Sequence, residues 1–153
     1  MTAVVHRAAA DLLHDAGQRY TDQRRRLVEL LARAGRPGSI PEIMRAGRGL
    51  KQSSVYRNLA ELERAGVVHR VVTDEEFGRW ELSEALAGHH HHLVCSSCGR
   101  VEDAVMPAGF ERSLDRTLDG LARDAGFAHL RHRLDLIGLC ADCALAAEGA
   151  ATG

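Results

Sequence analysis

The chain has 153 residues, of which 45% are apolar and only 4% aromatic, a size that suits one ordinary domain or two small ones. The formal net charge of −1 points to no particular partner, but residues 1–72 hold 13 Arg and Lys against 7 Asp and Glu, whereas residues 73–153 hold 7 against 14. A basic half suits a polyanion, and an acidic, histidine-rich half suits cations.

No segment reaches the roughly 20 apolar residues of a membrane span. Arg7, Asp11 and Asp15 interrupt the apolar core that an export signal would need. We therefore expect a cytoplasmic protein with no membrane partner. That compartment keeps thiols reduced, which favours metal ligation over disulfides.

Apolar residues recur at helical spacing in four segments of the basic half, residues 4–16, 21–35, 39–47 and 53–66. Thr21 and Ser39 are expected to cap the second and third helices, and glycines end the helices. Residues 67–82 then read as a β-hairpin around the turn DEEFG. Short helices followed by a hairpin are the order of a winged helix-turn-helix, whose last helix enters the major groove.

The acidic half predicts strands at residues 89–95, 101–105 and 130–140 and a long helix that Pro107 opens and Gly126 ends. A small sheet with one helix leaves apolar surface exposed, which favours dimerisation. We predict an α+β fold made of a winged helix-turn-helix DNA-binding domain and a small α/β dimerisation domain. The expected divisions are residues 1–82, a hinge at 83–88, the dimerisation domain at 89–146 and a flexible tail at 147–153.

The four cysteines form two C-x-x-C pairs, Cys95 with Cys98 and Cys140 with Cys143, and none is left over. Thiolates at this spacing predict a structural zinc ion with four sulfur ligands, which staples the end of the last strand to the first turn of the dimerisation domain. The alternative is a pair of redox motifs, but neither pair lies where a thioredoxin-like helix would begin.

A run of four histidines, residues 89–92, precedes the first pair. Because successive side chains of a strand point to opposite faces, His90 and His92 leave on one side and His89 and His91 on the other, so one tetrapeptide can supply two metal centres. A solvated polar loop is the alternative. Further donors that suit Zn²⁺, Fe²⁺, Mn²⁺ or Ni²⁺ are His69, Glu81, Asp103, Glu111 and His132.

The segments SSVYRNLAELERAGVV, HHHHLVCSSCG and a final H-x₇-C-A-D-C together resemble the ferric uptake regulator (Fur) family of metal-dependent repressors, over about residues 17–143. The resemblance implies structural zinc on Cys95, Cys98, Cys140 and Cys143. It implies a regulatory hinge site built from His90, His92 and Glu81, joined by His69 and Asp103. It also implies a second site in the dimerisation domain, built from His89, His91, Glu111 and His132.

The chain departs from the family pattern at three places that bear on the sensed metal. The stretch GRPGSIPEI lacks a histidine that often supplies a hinge ligand, Ser83 stands where zinc sensors carry a cysteine, and His91 stands where iron sensors carry an acidic residue. Imidazole-rich coordination favours Zn²⁺, whereas Glu81 and the missing thiol favour Fe²⁺ or Mn²⁺.

The resemblance places the fourth helix at DNA, where arginine can bind guanine or phosphate and tyrosine can reach a thymine methyl group or phosphate. The predicted DNA contacts are Arg19, Tyr20, Arg24, Lys51, Ser53, Ser54, Tyr56 and Arg57. We predict a homodimeric repressor, not an enzyme, that binds double-stranded operator DNA when a divalent metal, Zn²⁺ or Fe²⁺, fills the hinge site, and that controls metal homeostasis genes.

Four alternatives stay open at this point. The chain could be a peroxide-sensing, manganese-sensing or nickel-sensing member of the same family, or a metal buffer or chaperone, which would leave the basic half unexplained. A zinc hydrolase would need a pattern such as HExxH, which is absent. A redox protein would use the C-x-x-C pairs as thiols.

Overall fold

The computed structural model describes residues 2–71, 78–128 and 132–151 and combines helices with two small sheets, so the predicted α+β class is confirmed. The first part of the chain, called the N-terminal unit below, contains four helices and an antiparallel sheet of strand order β1-β3-β2. Its elements are α1 (Thr2–Asp15), α2 (Asp22–Ala34), β1 (Gly38–Ser39), α3 (Ile40–Ala46), α4 (Gln52–Arg64), β2 (Val68–Val71) and β3 (Arg79–Leu82). The predicted hairpin turn lies mostly outside the described residues.

The helices of the N-terminal unit begin and end within two residues of the predicted bounds. The Thr21 hydroxyl accepts a hydrogen bond from the backbone N–H of Arg24 at 3.4 Å, and Gly35 ends α2 in the left-handed conformation with φ of 60°. Apolar residues at helical spacing on α4, Val55, Leu59 and Leu62, are fully buried against the other helices and the sheet.

A charged network joins α3 to the sheet. One carboxylate oxygen of Glu42 accepts from the backbone N–H of Ser39 at 2.8 Å and from the guanidinium of Arg79 at 2.8 Å, while the other accepts from Arg36 at 3.0 Å. Burial acts to raise the pKa of Glu42, but these hydrogen bonds and the neighbouring charges outweigh it and lower the pKa to about 2. The ionised carboxylate therefore stabilises the start of α3.

We expect Glu42→Gln to destabilise the protein by about 1–2 kcal/mol at pH 7, because the cap and two ion pairs weaken together. A carboxyl group whose pKa is depressed in the folded state stabilises fully above its ordinary value of 4.5 and loses that contribution as the pH falls toward 2. Urea unfolding at pH 7 and pH 3 should show the difference between the variant and the wild type shrinking in acid. Glu63→Gln, at an exposed position of α4, is the control; an unchanged gap at pH 3 would contradict this account.

The second part of the chain, called the C-terminal unit, is a three-stranded sheet of order β5-β4-β6 flanked by helices. Strand β4 pairs antiparallel with β5 and parallel with β6, which places His92 beside Asp103 on one neighbour and Asp135 on the other. The elements are α5 (Glu84–Ala87), which precedes the sheet, then β4 (His91–Cys95), β5 (Val101–Ala104), α6 (Ala108–Ala125), β6 (Asp135–Gly138) and α7 (Ala141–Ala151).

The structure corrects the sequence-based interpretation in several elements. Strand β4 begins at His91 instead of residue 89, and β6 is limited to the four residues that pair with β4. The predicted hinge contains a single helical turn, α5. Residues 147–151 continue α7, because their alanine-rich sequence has high helix propensity, and the flexibility expected of the tail stays a prediction.

The two units touch at the hinge. Leu86 of α5 packs against the core of the N-terminal unit, and Val71 of β2 forms a small buried cluster with Val94 and Val101 of the second sheet. The division into separately folding domains at residues 82 and 89 stays a prediction.

The C-terminal unit leaves much apolar surface uncovered. Leu93 on β4, Ile137 on β6 and Phe110 and Leu121 on α6 are all exposed, Ile137 by 70% and Leu121 by 59%. Among the described residues no helix combines the length and apolarity needed to cross a bilayer.

Candidate metal centres

The four cysteines meet at one end of the second sheet. Cys95 ends β4, Cys98 lies in the turn that follows, Cys140 follows β6 and Cys143 lies in the first turn of α7. Their sulfur atoms all lie within 4.8 Å of one another. The sequence separation of the two pairs is thus closed by the parallel pairing of β4 with β6.

The geometry of this cysteine group fits a zinc ion. The sulfur atoms of Cys98 and Cys140 are 3.8 Å apart, far from the disulfide length of about 2.05 Å and equal to the edge of a tetrahedron with Zn–S distances of about 2.3 Å. The backbone N–H of Cys140 donates to the Cys95 sulfur at 3.3 Å. That hydrogen bond is the largest contribution lowering the pKa of the Cys95 thiol to about 6, which favours the thiolate that a metal requires.

A second set of donors lies between the two units. Glu81 comes from β3 of the N-terminal unit, and His90, His92 and Asp103 come from the C-terminal unit; we call these four residues the hinge group. Nε2 of His92 lies 2.8 Å from Oε1 of Glu81, and Nε2 of His90 lies 3.2 Å from Oε2. Asp103 is at the edge of the group, 4.0 Å from Nε2 of His90.

Burial and charge in the hinge group favour a bound cation. Burial acts to raise the pKa of Glu81, but the close imidazoles of His69, His92 and His90 outweigh it and hold that pKa well below its usual range. Burial acts to lower the pKa of His90 and of His92, but nearby oxygen acceptors, including the Glu81 carboxylate, raise both. Protons therefore compete with a metal for these imidazoles.

Buried polar atoms without hydrogen bonds give an independent test of whether the hinge group fits a metal ion. Oε1 of Glu81 and Nε2 of His92 are buried and close to each other, yet neither has a well-aligned hydrogen bond among the described residues. Buried polar atoms are normally hydrogen-bonded. Atoms that converge without mutual alignment are the arrangement expected when both point at a common ion, so these residues fit a divalent metal.

His69 lies beside the hinge group without belonging to its compact set of donors. Its Nε2 is 2.6 Å from Oε1 of Glu81, and its ring centre is 6.5 Å from that of His92. A cleft of about 500 Å³ lined by His69, Glu81 and His90 opens onto the group, which gives an ion a route of entry.

A third set of donors lies within the C-terminal unit, and we call it the second group. It consists of His91 at the start of β4, His89 two residues before that strand, Glu111 in the first turn of α6 and His132 before β6. Nε2 of His91 lies 2.7 Å from Oε1 of Glu111, and Nε2 of His132 lies 3.4 Å from Oε2. The last two atoms are buried without a hydrogen bond among the described residues, so this set also fits a metal.

The predicted DNA-contact residues fall into two kinds of surroundings. Lys51, Ser53, Tyr56, Arg57 and the loop residue Arg19 are exposed, whereas Ser54 is half-buried. These exposed side chains lie at or near the N-terminal end of α4, except for Arg19 in the loop before α2.

Arg24 and Tyr20 are held by other parts of the N-terminal unit. The guanidinium of Arg24 donates to the Arg19 carbonyl at 2.7 Å and to the Asn58 side chain at 3.3 Å, so it links the loop before α2 to α4. The Tyr20 hydroxyl lies 2.5 Å from Nδ1 of His6, and burial raises the pKa of Tyr20 to about 12. Arg24 thus positions the loop that carries Arg19, whereas Tyr20 is held against α1.

Sequence reasoning missed two carboxylates next to the histidines. Asp135 lies 3.0 Å from Nδ1 of His92, and Glu84 lies 2.8 Å from Nδ1 of His89. Asp135 reaches His92 only through the β4–β6 register, for which the sequence gives no signal. Glu84 lies five residues before His89 in the hinge, so proximity could have suggested it.

A helical unit and a small sheet that share metal donors at their junction, with four cysteines gathered at one end of the sheet, are the arrangement of a metal-sensing regulator. Residues 15–137 match the ferric uptake regulator family, and the chain therefore belongs to that family. The sequence-based assignment is confirmed. Members of the family are DNA-binding transcription regulators and not enzymes.

Three relatives illustrate the range of the match. A ferric uptake regulation protein of Legionella pneumophila is 30% identical over 136 residues, which cover 86% of this chain and 95% of the relative. The peroxide operon regulator of Bacillus subtilis is 26% identical over 147 residues, which cover 94% and 96%. The crystal structure of the Vibrio cholerae ferric uptake regulator, described as revealing a rearrangement of its DNA-binding domains, superposes with a TM-score of 0.65 at 28% identity and covers 86% of this chain and 98% of that one.

Proposed function

We propose that this protein is a homodimeric, metal-dependent transcriptional repressor of the cytoplasm, whose sensing site is the hinge group. One observation carries the proposal: the hinge group takes Glu81 from the N-terminal unit and His90, His92 and Asp103 from the C-terminal unit. A divalent ion held there would join the two units and fix the angle between them.

The proposed mechanism is a shift of population between arrangements of the two units. In a two-fold dimer the hinge angle sets the distance between the two α4 helices, which must match one turn of DNA, about 34–36 Å. Because His69 and Glu81 lie on β2 and β3, directly after α4 in the chain, a constraint on this hairpin is passed to that helix. Ligands that meet only in the competent arrangement favour that arrangement, and DNA binding and metal binding then strengthen each other.

The donor atoms of the hinge group suit a small set of divalent metals. The hinge group offers two imidazoles and two carboxylates, with His69 beside them and no thiol, which suits Zn²⁺, Fe²⁺, Mn²⁺ or Ni²⁺. We propose Zn²⁺ or Fe²⁺ as the sensed ion, Zn²⁺ as the structural ion of the cysteine group, and the second group as a further site.

The exposed apolar face of the C-terminal unit supports dimerisation. Leu93 on β4 lies beside Leu136 on β6, and both side chains are exposed. Exposed apolar surface of this kind marks a protein interface. We therefore assign it to contact with a second copy of the chain, which also supplies the second α4 helix that a two-fold operator needs.

Arg57→Ala is expected to weaken binding to a duplex that the metal-loaded protein has selected from a random DNA library, by roughly 5–150-fold. Loss of one bidentate arginine contact costs about 1–3 kcal/mol. Gel-shift titration would measure the change, with Arg64→Ala at the other end of α4 as the matched control. Equal affinities of both variants and the wild type would mean that α4 is not the reading helix.

Operator binding measured in the presence of Zn²⁺, Fe²⁺, Mn²⁺ or Ni²⁺, each added to protein that keeps only its cysteine-bound zinc, tests the proposal as a whole. We expect at least one ion to raise affinity for the selected duplex by 5–150-fold, the range of about 1–3 kcal/mol typical of coupling between sites. The same affinity with and without every ion would refute sensing.

A peroxide-sensing role is the second candidate, because a donor set of imidazoles and carboxylates without thiols suits Fe²⁺ and one relative is a peroxide operon regulator. Treating the iron-loaded and zinc-loaded proteins with peroxide separates the two. Loss of DNA binding in the iron form alone supports peroxide sensing, and no loss in either form rejects it.

A further inference from the structure

Three of the four consecutive histidines have the same nitrogen held by an oxygen atom outside the metal-binding groups. Nδ1 of His89 lies 2.8 Å from Glu84, Nδ1 of His90 lies 2.9 Å from the Gly88 carbonyl, and Nδ1 of His92 lies 3.0 Å from Asp135. In each case the other ring nitrogen, Nε2, faces a carboxylate of the hinge group or of the second group.

The chemistry of these oxygen atoms determines which nitrogen of each imidazole carries the proton. A carbonyl oxygen and an ionised carboxylate only accept hydrogen bonds, so Nδ1 must carry the proton in all three rings. In a neutral imidazole the lone pair is then on Nε2. His91 differs, because its Nδ1 is buried without a hydrogen bond among the described residues and its Nε2 lies 2.7 Å from Glu111.

We propose that Asp135 and Glu84 are positioning residues that assign His92 to the hinge group and His89 to the second group, by holding each ring with its proton on Nδ1 and its Nε2 toward the ligands. The proposal rests on the proposed function only in that it takes both groups to bind metal ions. Carboxylates that orient a histidine in this way change metal affinity by about 10–100-fold in other sites.

Asp135 lies next to the hinge group but is not one of its metal donors. The parallel register of β4 and β6 sets it beside His92, where it contacts Nδ1 and not the Nε2 that faces Glu81. Arg133 approaches its second oxygen at 3.7 Å and donates to the carbonyl of Arg70 on β2 at 3.4 Å. The orientation of His92 is thus linked to the strand that carries His69.

Glu84 connects the second group to the hinge. It lies on α5, which Leu86 anchors to the core of the N-terminal unit, and Gly88 turns the chain back with φ of +85° so that Glu84 meets His89. A side chain at position 88 would be strained in that conformation. Among the described residues of the N-terminal unit and hinge, Glu84 is the one acidic side chain within 4 Å of a ring nitrogen of a histidine in the second group.

Cobalt titration measures the two assignments separately, because Co²⁺ bound by these donors absorbs visible light. The hinge group is titrated in a His132→Ala background, which disables the second group, and the second group is titrated in a His90→Ala background. We expect Asp135→Ala to weaken Co²⁺ binding to the hinge group by about 10–100-fold and Asp135→Asn, which keeps an acceptor oxygen without the charge, to weaken it less. Glu84→Ala and Glu84→Gln should act in the same order on the second group.

The control is Asp119→Ala, an exposed carboxylate of α6 outside both groups. Equal Co²⁺ affinities in Asp135→Ala, Glu84→Ala and this control would overturn the proposal. A loss of similar size at both groups in either variant would also overturn it, because that outcome indicates general destabilisation instead of assignment.

Nitrogen-15 NMR reports which ring nitrogen of each histidine carries the proton, in protein that holds only its cysteine-bound zinc. A purely structural role of Asp135 and Glu84 would leave these tautomers unchanged. At a pH at which the rings are neutral, His92 and His89 should carry the proton on Nδ1 in the wild type, and each should lose that preference only in the variant of its own carboxylate. If the parent proteins fail to bind Co²⁺ at either group, the proposed sensing function fails while this measurement still decides the orienting role. Unchanged tautomers in both alanine variants would refute it.

Discussion

Replacing His90 and His92 together with alanine should abolish the metal dependence of DNA binding while the protein stays folded. The two imidazoles are half of the hinge group, and their Nε2 atoms are the ones that face Glu81 across the two units. Without them the remaining carboxylates cannot close a set of donors between the units, so metal no longer favours the competent hinge angle. Gel-shift titration with and without the ion that works best on the wild type should give one affinity for the variant.

The change in the variant should be confined to the hinge. Zinc content of the cysteine group and the far-UV circular dichroism should match the wild type, since neither histidine touches the sulfur atoms. His14→Ala, an exposed histidine at the end of α1, is the control and should keep the full metal response. A double variant whose operator affinity still rises with metal as in the wild type would place the sensing site elsewhere.

The consecutive histidines explain how one short segment can serve two groups. Alternation along β4 sends His92 to the hinge group and His91 to the second group, and the residues before the strand follow the same division. Because both groups take ligands from a single stretch of backbone, an ion in either one restrains the segment that the other uses. Coupling between them is reciprocal on thermodynamic grounds.

Sequence patterns predicted most of the N-terminal unit because its determinants are local. Helical spacing identified Val55, Leu59 and Leu62 as the buried face of α4, and Thr21 as the cap of α2. The detail that the sequence did not reveal depends on tertiary packing: the two-residue strand β1 exists only through its pairing with β3.

The pairing of β4 with β6 was the part of the metal groups that the sequence could not predict. Alternation separates His90 and His92 from His89 and His91, and the structure brings each pair together with the carboxylates that the resemblance implied. The partners of their outer nitrogens depend on the parallel register of β4 with β6, and register is set by three-dimensional packing and turn geometry, which no short motif encodes. Asp135 therefore could not be found from the sequence.

Cys95→Ser should unfold the C-terminal unit and remove the dimer, because little else stabilises that part of the chain. Among the described residues beyond Gly88 the buried apolar side chains are Val94, Cys95, Val101 and Ala122, whereas the N-terminal unit has an extensive core of its own. Structural zinc contributes about 10–16 kcal/mol of apparent binding free energy in small zinc-dependent folds, far more than this small cluster can supply.

Hydrogen exchange should show lost protection in β4 and β6 with α2 and α4 still protected, and sedimentation should show monomers. Ala141→Ser, which adds a hydroxyl at the exposed start of α7 without removing a thiol, should keep zinc and dimer; a zinc-free Cys95→Ser protein that remains a protected dimer would show that the staple is dispensable.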